Sequence, residues 1–330
     1  MITINYKNTI INYNNKLDYQ INLENNNQEI IVIKNLNKKK QIQFKLFING
    51  YKNLIINYDK NLSIDDKTFD VDSENHYIVS FILDENQEVN LIFNNKYEAQ
   101  NRKLVLSEFL YHDITNEPIH IDKVYIINLK RRADRRKLII QELAKVGIKN
   151  YEFINAVDGN DAEIKQKYKK LKKNKSKIKS AGHLGCLLSH KKVLKKAYLS
   201  NFKQVLILED DIFFKSENFS KDLQSLEMCP WKIIFLGAPI ADKKIFINKW
   251  AFCGRFPGTY GYLIKRELIE EVLNYIKNMD NCIDLIFMKT LQKKDYCFIL
   301  NDFILTDIKD SDTSKKKQVF QKYIDNLNKD

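Results

Sequence analysis

Cysteine, glycine and proline are scarce in this sequence, and the shortage excludes several classes of protein. The five cysteines include no Cys-x-x-Cys pair and lie far apart, at Cys186, Cys229, Cys253, Cys282 and Cys297. Such an odd, scattered set favours reduced thiols over a disulfide framework or a zinc site. Hydrophobic residues make up 44% of the 330 residues, so an intrinsically disordered chain is also excluded.

The sequence also lacks motifs that bind nucleotides or direct a chain into membranes. It has no G-x-x-x-x-G-K-[ST] and no G-x-G-x-x-G after the first strand of its second half, which argues against a P-loop NTPase and a dinucleotide-dependent dehydrogenase. No apolar run approaches the ~20 residues that cross a bilayer. The N-terminal stretch MITINYKNTIINYNN has no secretory-signal pattern. We therefore expect a soluble, cytoplasmic chain without a membrane span.

Negative charge is in deficit, since the formal net charge is +13. Part of the excess is concentrated in KQKYKKLKKNKSKIK, between Lys165 and Lys179. Such a run is either a solvated, extended, mobile surface segment or an anion site for nucleic acid or an acidic substrate. Few aromatic side chains and no recognisable binding motif accompany it. The sequence therefore favours the solvated segment and predicts no specific nucleic-acid partner.

Residues 1–111 are predicted to form a small all-β domain. Short strand-like runs such as IQFKLFI and HYIVSFIL are separated by Asn-, Asp- and Gly-containing turns, and no helical stretch interrupts them. A β-sandwich or small barrel is the expected architecture. Since no catalytic residues cluster here, packing or oligomerisation is favoured over sugar binding. Residues 112–121, which include Pro118, form the predicted linker.

Residues 122–330 alternate between strand-like and helix-like segments. We predict strands at KVYIINL, YEFINAV, QVLILE, KIIFLG, TYGYLI and YCFIL, and helices at RADRRKLIIQELAKVG, HLGCLLSHKKVLKKAYL, residues 266–277 and residues 284–291. This alternation is typical of an α/β domain with a mostly parallel sheet and helices on both faces. Ligands of such sheets bind at the carboxyl ends of the strands.

Charged residues follow three of these predicted strands. The carboxylates Glu209, Asp210 and Asp211 follow QVLIL, basic residues 130–136 follow KVYIINL, and Asp158-Gly159 follows YEFINAV. Three adjacent carboxylates are unfavourable in a buried strand, so either water solvates them in a turn or a cation binds them. Mg²⁺ and Mn²⁺ are commonly held by carboxylates and phosphate oxygens. The pattern thus indicates a metal-bound nucleotide, as in nucleotide-sugar transferases, although the basic turn could simply be solvated, with Asp134 capping the helix.

Five motifs in this order resemble glycosyltransferase family 25, the family of lipooligosaccharide galactosyltransferases and collagen hydroxylysine galactosyltransferases. They are VYIINLKRRADRR, INAVDG, GHLGCLLSHKKV, VLILEDDIFF and FPGTYGYLIKRELIEEVL, and the resemblance ends near DSDTS. It covers roughly residues 121–314. The heavy use of Asn, Lys and Ile suggests an AT-rich genome and a giant-virus member of this family.

The resemblance implies a GT-A fold, a UDP-sugar donor, Mn²⁺ or Mg²⁺, and inversion at the anomeric carbon. It implies that Asp211 binds the metal, that Glu209 or Asp210 reaches the ribose or a metal-bound water, and that Asp310 or Asp312 completes the coordination. The remaining residues implied to contact the donor are Asn128, Leu129, Arg131, Arg135, Asp158, Gly159, Ser189 and His190.

The expected activity is transfer of galactose or glucose to a hydroxyl of a protein, such as collagen-like hydroxylysine, or of a glycan. A carboxylate would accept the proton of this hydroxyl. Asp284, at the start of a predicted helix, is our candidate base, with a helix N-cap as its alternative role. The alternative for the chain is an inactive glycan- or protein-binding module on the same fold, against which the intact Glu-Asp-Asp argues.

Overall fold

A computed structural model gives the three-dimensional structure of the chain. It describes residues 119–224, 231–237, 243–246, 250–252, 258–278, 280–292, 294, 296–300 and 304–306, together with ten strands before residue 119. The chain divides into two compact units. The first comprises Met1–Glu117, Glu227–Pro230 and Ile240–Phe252, and the second comprises Pro118–Leu226, Trp231–Pro239 and Cys253–Asp330.

The first unit contains twelve of the described strands. Their bounds are β1 Ile2–Tyr6, β2 Thr9–Tyr13, β3 Tyr19–Ile21, β4 Gln28–Asn35, β5 Lys40–Asn49, β6 Tyr51–Tyr58, β7 Lys67–Asp70, β8 Asn75–Leu83, β9 Glu88–Asn95, β10 Lys103–Asp113, β16 Lys243–Phe246 and β17 Trp250–Phe252. One sheet has the order β2-β1-β4-β9-β6-β7, and a second has the order β16-β8-β5-β10-β3. The division at residues 111 and 121 stays a prediction, as does a separate all-β domain.

One face of the first of these sheets is buried. Ile31 and Ile33 of β4 are buried and flank a half-buried Val32, and Val89, Leu91 and Phe93 alternate in the same way along β9. Since side chains of a strand point to opposite faces in turn, this alternation defines the packed face of the sheet.

The second unit contains the remaining elements. They are β11 Lys123–Asn128, α1 Ala133–Lys145, β12 Tyr151–Asn155, α2 Ala162–Lys173, α3 Ala181–Leu199, β13 Gln204–Glu209, β14 Ile212–Phe214, α4 Phe219–Gln224, β15 Ile233–Phe235, β18 Gly261–Lys265, α5 Arg266–Asn278, α6 Ile283–Thr290, β19 Cys297–Leu300 and β20 Ile304–Thr306. The predicted strands and helices of this half are all confirmed. No described helix is both long and apolar enough to cross a membrane.

The sheet of the second unit is mostly parallel, as predicted. Its six strands have the order β12-β11-β13-β18-β15-β19. Strand β18 pairs antiparallel with both β13 and β15, whereas the β11–β12, β11–β13 and β15–β19 pairs are parallel. Five strands therefore end at the same edge. Strands β11 and β13 are buried over most of their length, which is typical of a sheet covered on both faces.

Residues 165–173 of the basic run lie in a helix, so the expectation of an extended segment was wrong there, whereas its exposure to solvent is confirmed, since all of its lysines are exposed. Helix α2 spans Ala162–Lys173 because three apolar side chains spaced by four and three residues lie along one of its sides. Ile164 is buried, and Tyr168 and Leu171 are half-buried. This i, i+4, i+7 spacing is that of a packed helix face. Packing of this face therefore outweighs the repulsion between the lysines.

Candidate active site

The three carboxylates lie where two parallel strands end side by side. Glu209 is the last residue of β13, and Asp210 and Asp211 form the turn that follows. In the parallel pairing of β11 with β13, Ile127 is opposite Glu209, so Asn128 at the end of β11 lies next to the turn. The structure thus brings together the ends of two motifs that are about 80 residues apart in the chain.

Asp210 is buried and both of its carboxylate oxygens bind protein groups. Asn128 donates from Nδ2 to Oδ2 at 2.7 Å, and Arg135 donates from Nη1 to Oδ1 at 3.0 Å. Burial raises the pKa of Asp210, while these two partners oppose the rise. Because its oxygens are occupied, Asp210 holds Asn128 and Arg135 in place. Contact of Asn128 or Asp210 with a donor stays a prediction.

Asp211 has a carboxylate oxygen without a partner. Its Oδ2 lies 3.1 Å from Nη1 of Arg135, but its buried Oδ1 accepts no hydrogen bond from the part of the chain that the structure describes. Burial raises the pKa of Asp211 to about 7, the negative charge of Glu209 adds to this rise, and Arg135 opposes it. A buried oxygen without a donor is unfavourable, and a divalent cation would satisfy it. The residues present therefore fit the expected Mn²⁺ or Mg²⁺.

Glu209 is held by a buried histidine and a threonine. Thr259 donates from Oγ1 to Glu209 Oε1 at 2.8 Å, and His190 Nε2 lies 3.3 Å from the same oxygen. Nδ1 of His190 is 3.0 Å from the hydroxyl of Tyr262. Burial raises the pKa of Glu209, but the hydrogen bonds from His190 and Thr259 outweigh burial and lower it. These partners favour the ionised form of Glu209. The Sγ atom of Cys186 also lies within 4.8 Å of the Glu209 carboxylate and the His190 imidazole.

The hydroxyl of Tyr260 lies near three carboxylates, those of Glu209, Asp211 and Asp284. Burial raises the pKa of the Tyr260 hydroxyl, and the negative charges of Glu209, Asp211 and Asp284 raise it further. Asp284 lies in the first turn of α6, half-buried, and its Oδ1 accepts from the backbone N–H of Leu285. The N-cap of α6 is Cys282, so the N-cap alternative for Asp284 was wrong.

The turn after β12 packs against the start of α3 through glycines. A Cβ on Gly159 would lie 2.6 Å from the backbone of Gly182, and one on Gly185 would lie 2.5 Å from the carbonyl oxygen of Val157. Ser189 Oγ accepts from Val157 N–H at 2.8 Å and donates to the Gly185 carbonyl at 2.7 Å. Gly159 and Ser189 thus fix this turn on α3, and their contact with a donor stays a prediction.

Arg131 joins the ends of β11 and β12. Its Nε donates to Asp158 Oδ2 at 2.6 Å, and Asp158 Oδ1 accepts from the N–H of Asn160 at 2.8 Å. Burial raises the pKa of Asp158, but the hydrogen bonds from Arg131 and Asn160 and the charges of Arg131 and Lys165 together outweigh burial and lower it. Leu129 is half-buried, and its carbonyl accepts from Arg132 N–H at 2.8 Å. The Arg131–Asp158 ion pair lies at the same edge of the sheet as Glu209, Asp210 and Asp211.

Two of the predicted residues cannot be placed and others were missed. Asp310 and Asp312 lie outside the described residues. Thr259, Tyr260 and Tyr262 were not among the predicted site residues. The sequence contains a pattern that could have indicated them, because polar side chains interrupt TYGYLI at the start of a buried strand. Only the fold shows that this strand lies beside β13.

The fold and the site together define an enzyme-like α/β domain with acidic and basic groups at the carboxyl ends of parallel strands. The family model for glycosyltransferase family 25 (LPS biosynthesis protein) matches residues 121–287, about half of the chain. The chain belongs to this family, as its motifs predicted. A glycosyltransferase takes a sugar from a donor to an acceptor.

Several curated proteins are also similar to this chain. A glycosyltransferase 25 family member of Anopheles gambiae is 26% identical over 58% of this chain and 36% of its own length. The putative glycosyltransferase R655 of Acanthamoeba polyphaga mimivirus is 36% identical over 32% of this chain and 34% of its own. Human procollagen galactosyltransferase 2 is 30% identical over 35% and 20%. The chain thus spans about a third or less of each of these relatives, and other matched members are named inactive.

Proposed function

We propose that this chain is a metal-dependent, inverting hexosyltransferase of GT-A type that transfers galactose or glucose from a UDP-sugar to a hydroxyl of a protein or glycan. The observation that carries the proposal is the buried Oδ1 of Asp211, which lacks a partner among the described residues. The names of the procollagen galactosyltransferase relatives favour galactose and a protein acceptor. The mimivirus relative is consistent with a viral origin.

Asp211 would hold the divalent cation, with Asp310 or Asp312 as further ligands. When bound, Mn²⁺ or Mg²⁺ acts as a Lewis acid that neutralises charge on the diphosphate of the donor. Arg135 orients Asp211 from the protein side through the 3.1 Å contact. His190 and Thr259 keep Glu209 ionised and oriented through its Oε1, so that its Oε2 can accept a hydrogen bond from the ribose or from a water.

Arg131 is the more exposed of the two arginines in this motif. Its side chain is 40% exposed, whereas that of Arg135 is 9% exposed, so Arg131 has more room to contact the diphosphate of the donor. A positive charge there would stabilise the negative charge that develops on the departing UDP. Asp284, which is half-buried in the first turn of α6, would take the proton of the acceptor hydroxyl.

Release of UDP from UDP-galactose and UDP-glucose, measured with Mn²⁺ and after EDTA, tests the proposal. We expect metal-dependent hydrolysis of one donor, reduced about 100-fold or more by Asp211→Asn. Asp161→Asn is the matched control, because Asp161 is exposed and its side chain makes no cap hydrogen bond. Failure of the wild type to bind or cleave either donor would favour the alternative, an inactive binding module.

Asp284→Asn tests the acceptor side of the proposed reaction separately from binding of the donor. A base that acts only on the acceptor contributes about 10²–10⁴-fold to transfer. We therefore expect the variant to bind the UDP-sugar like the wild type, as measured by isothermal titration, and to lose transfer to an acceptor. Equal transfer rates for variant and wild type would remove Asp284 from the mechanism.

A further inference from the structure

The basic run forms a continuous positive surface. It contains nine lysines, all exposed, and residues 164–179 include no Asp or Glu. The lysine surface consists of Lys165, Lys167, Lys169, Lys170, Lys172, Lys173, Lys175, Lys177 and Lys179. Within the part of the chain that the structure describes, none of them pairs with a carboxylate, and the ammonium group of Lys172 donates to the Ser176 carbonyl at 3.2 Å.

The segment that carries these lysines is held against the fold at its far end as well as along α2. Asp280, which lies between α5 and α6, accepts from Ser176 Oγ at 2.6 Å and from Lys177 N–H at 3.0 Å. Ser176 and Ile178 are buried, and the hydroxyl of Tyr168 donates to the Lys179 carbonyl at 2.8 Å. The ammonium groups are therefore displayed on a fixed backbone.

Lys175 occupies a position where glycine is the favoured residue. Helix α2 ends in a Schellman motif, in which Ser176 N–H donates to the Leu171 carbonyl and Lys175 N–H to that of Lys172. Lys175 has a φ of 60°, the left-handed conformation that a side chain disfavours. Helix α1 ends in the same motif with Gly147 at the equivalent position, at φ 71°. Stability alone would favour glycine at residue 175.

Helix electrostatics account for only part of the lysine surface. Lys170, Lys172 and Lys173 lie in the last turn of α2, where the helix dipole favours positive charge. Lys165, Lys167 and Lys169, nearer the start of α2, gain nothing from the dipole, and the nine lysines repel one another. A concentration of like charge that does not stabilise the fold is typical of a surface that binds an oppositely charged partner.

The lysine surface borders the candidate active site at both of its ends. Helix α2 begins at Ala162, shortly after Asp158, which pairs with Arg131. At the other end, the backbone N–H of Lys177 donates to Asp280 at 3.0 Å, and the backbone of Lys179 hydrogen-bonds to Cys282, the N-cap of α6. The proposed base Asp284 lies in the first turn of this helix. An acceptor whose hydroxyl reaches Asp284 would extend along the lysines.

We propose that the lysine surface binds an anionic glycan, and that the acceptor of this enzyme carries carboxylate, sulfate or phosphate groups beside the hydroxyl that is modified. The chemistry of the surface favours a glycan over a peptide or a nucleic acid. It has no exposed apolar or aromatic side chain to anchor a peptide or to stack on a base. It also has no arginine for bidentate recognition, so charge density along a hydrophilic polymer is what it can read. The acceptor role rests on the proposed transferase function.

The test compares two variants with equal loss of charge. In the first, four lysines of the surface are replaced by glutamine, at Lys167, Lys170, Lys173 and Lys177. In the control, four exposed lysines on four other helices are replaced by glutamine, at Lys195, Lys221, Lys277 and Lys289. Fluorescence anisotropy measures binding of a labelled oligogalacturonate hexamer and a heparin hexasaccharide, with maltohexaose, a polyglutamate peptide and single-stranded DNA as comparison ligands.

We expect the surface variant to bind the two anionic glycans about 16-fold more weakly than the control variant, since four exposed charge contacts contribute about two-fold each. Wild-type affinity should fall steeply between 50 and 200 mM NaCl. Preference for sulfate over carboxylate glycans at equal charge would name the anionic group. Equal binding by both variants, equal binding of maltohexaose, or tighter binding of the peptide or the DNA would overturn the proposal.

Two further measurements separate this proposal from the proposed function and from effects on folding. UDP release without acceptor should be the same in both lysine variants and the wild type, because donor binding does not involve the lysine surface. Lys175→Gly should leave the midpoint of thermal unfolding unchanged or higher and still weaken glycan binding about two-fold. If UDP release fails in the wild type but the glycans bind as expected, the transferase function is wrong and the binding surface stands.

Discussion

Replacement of Asp211 by asparagine should stabilise the metal-free protein at pH 8 and leave its stability nearly unchanged at pH 5. The cluster at the end of β13 holds three carboxylates, and Arg135 is the guanidinium that contacts two of them. The pKa of Asp211 is about 7 because burial and the charge of Glu209 disfavour its ionised form. Asparagine keeps the shape of the side chain and removes one negative charge.

The magnitude follows from the difference between the folded and unfolded pKa values. In the unfolded chain Asp211 ionises near its ordinary pKa of 3.8, and in the folded protein near 7. Stability therefore falls as pH rises between these values, at about 1.4 kcal/mol per pH unit. The penalty is about 4 kcal/mol at pH 8 and about 2 kcal/mol at pH 5. The amide of asparagine is a weaker acceptor for Arg135 than a carboxyl group and brings two N–H donors into a buried place, which together cost about 2 kcal/mol at either pH.

The net gain for Asp211→Asn is thus about 2 kcal/mol at pH 8 and near zero at pH 5. Urea titrations of wild type and variant at the two pH values, followed by circular dichroism in EDTA, measure the difference directly. In thermal unfolding, a gain of this size raises the midpoint by about 4–8 °C for a unit of roughly 200 residues.

Addition of metal reverses the order of stability. A cation that binds only the folded wild type at 100 times its dissociation constant contributes about 2.7 kcal/mol. Mn²⁺ should therefore raise the unfolding midpoint of the wild type at pH 8 and leave that of the variant unchanged. A variant that is less stable than the wild type at pH 8 in EDTA, or that responds equally to Mn²⁺, would refute our account of Asp211.

Two further substitutions test the groups that hold the site. Thr259→Val removes the 2.8 Å hydrogen bond to Glu209. The variant should be less stable by about 1–3 kcal/mol, and the acidic limb of its pH–rate profile for UDP release should move to higher pH. A profile that coincides with that of the wild type would contradict this. Gly159→Ala places a Cβ 2.6 Å from Gly182 and should lower the free energy of unfolding by about 1–3 kcal/mol through overpacking. Gly147→Ala should lower it less, because its Cβ meets open space and only the backbone is strained. Urea titration measures both losses, and equal losses would show that the contact of Gly159 with α3 is not tight.

The sequence by itself determined the local structure of the second half. Each strand and helix predicted between Lys123 and Leu300 is present, because buried strands are marked by aliphatic runs and helices by apolar residues at intervals of three and four. The motifs also identified the family. Glu209, Asp210 and Asp211 could be assigned to a strand end because an aliphatic strand precedes them and like charges cannot be buried without partners.

Tertiary structure decided which oxygen of which carboxylate remains available. Asp210 and Asp211 are equivalent in the sequence, but Asn128 and Arg135, from another strand and a helix, occupy both oxygens of Asp210 and only one of Asp211. The same holds for Thr259, whose contact with Glu209 depends on the antiparallel pairing of β13 with β18.

The basic run is a further case in which the sequence alone did not predict the structure. Its charge predicted an extended segment, yet residues 165–173 are helical, because Ile164 and Leu171 of the same helix pack against the fold. The periodicity of a segment is fixed by its own residues. Which side chains meet across 50 to 80 residues of chain depends on strand order and packing, and no local pattern encodes these contacts.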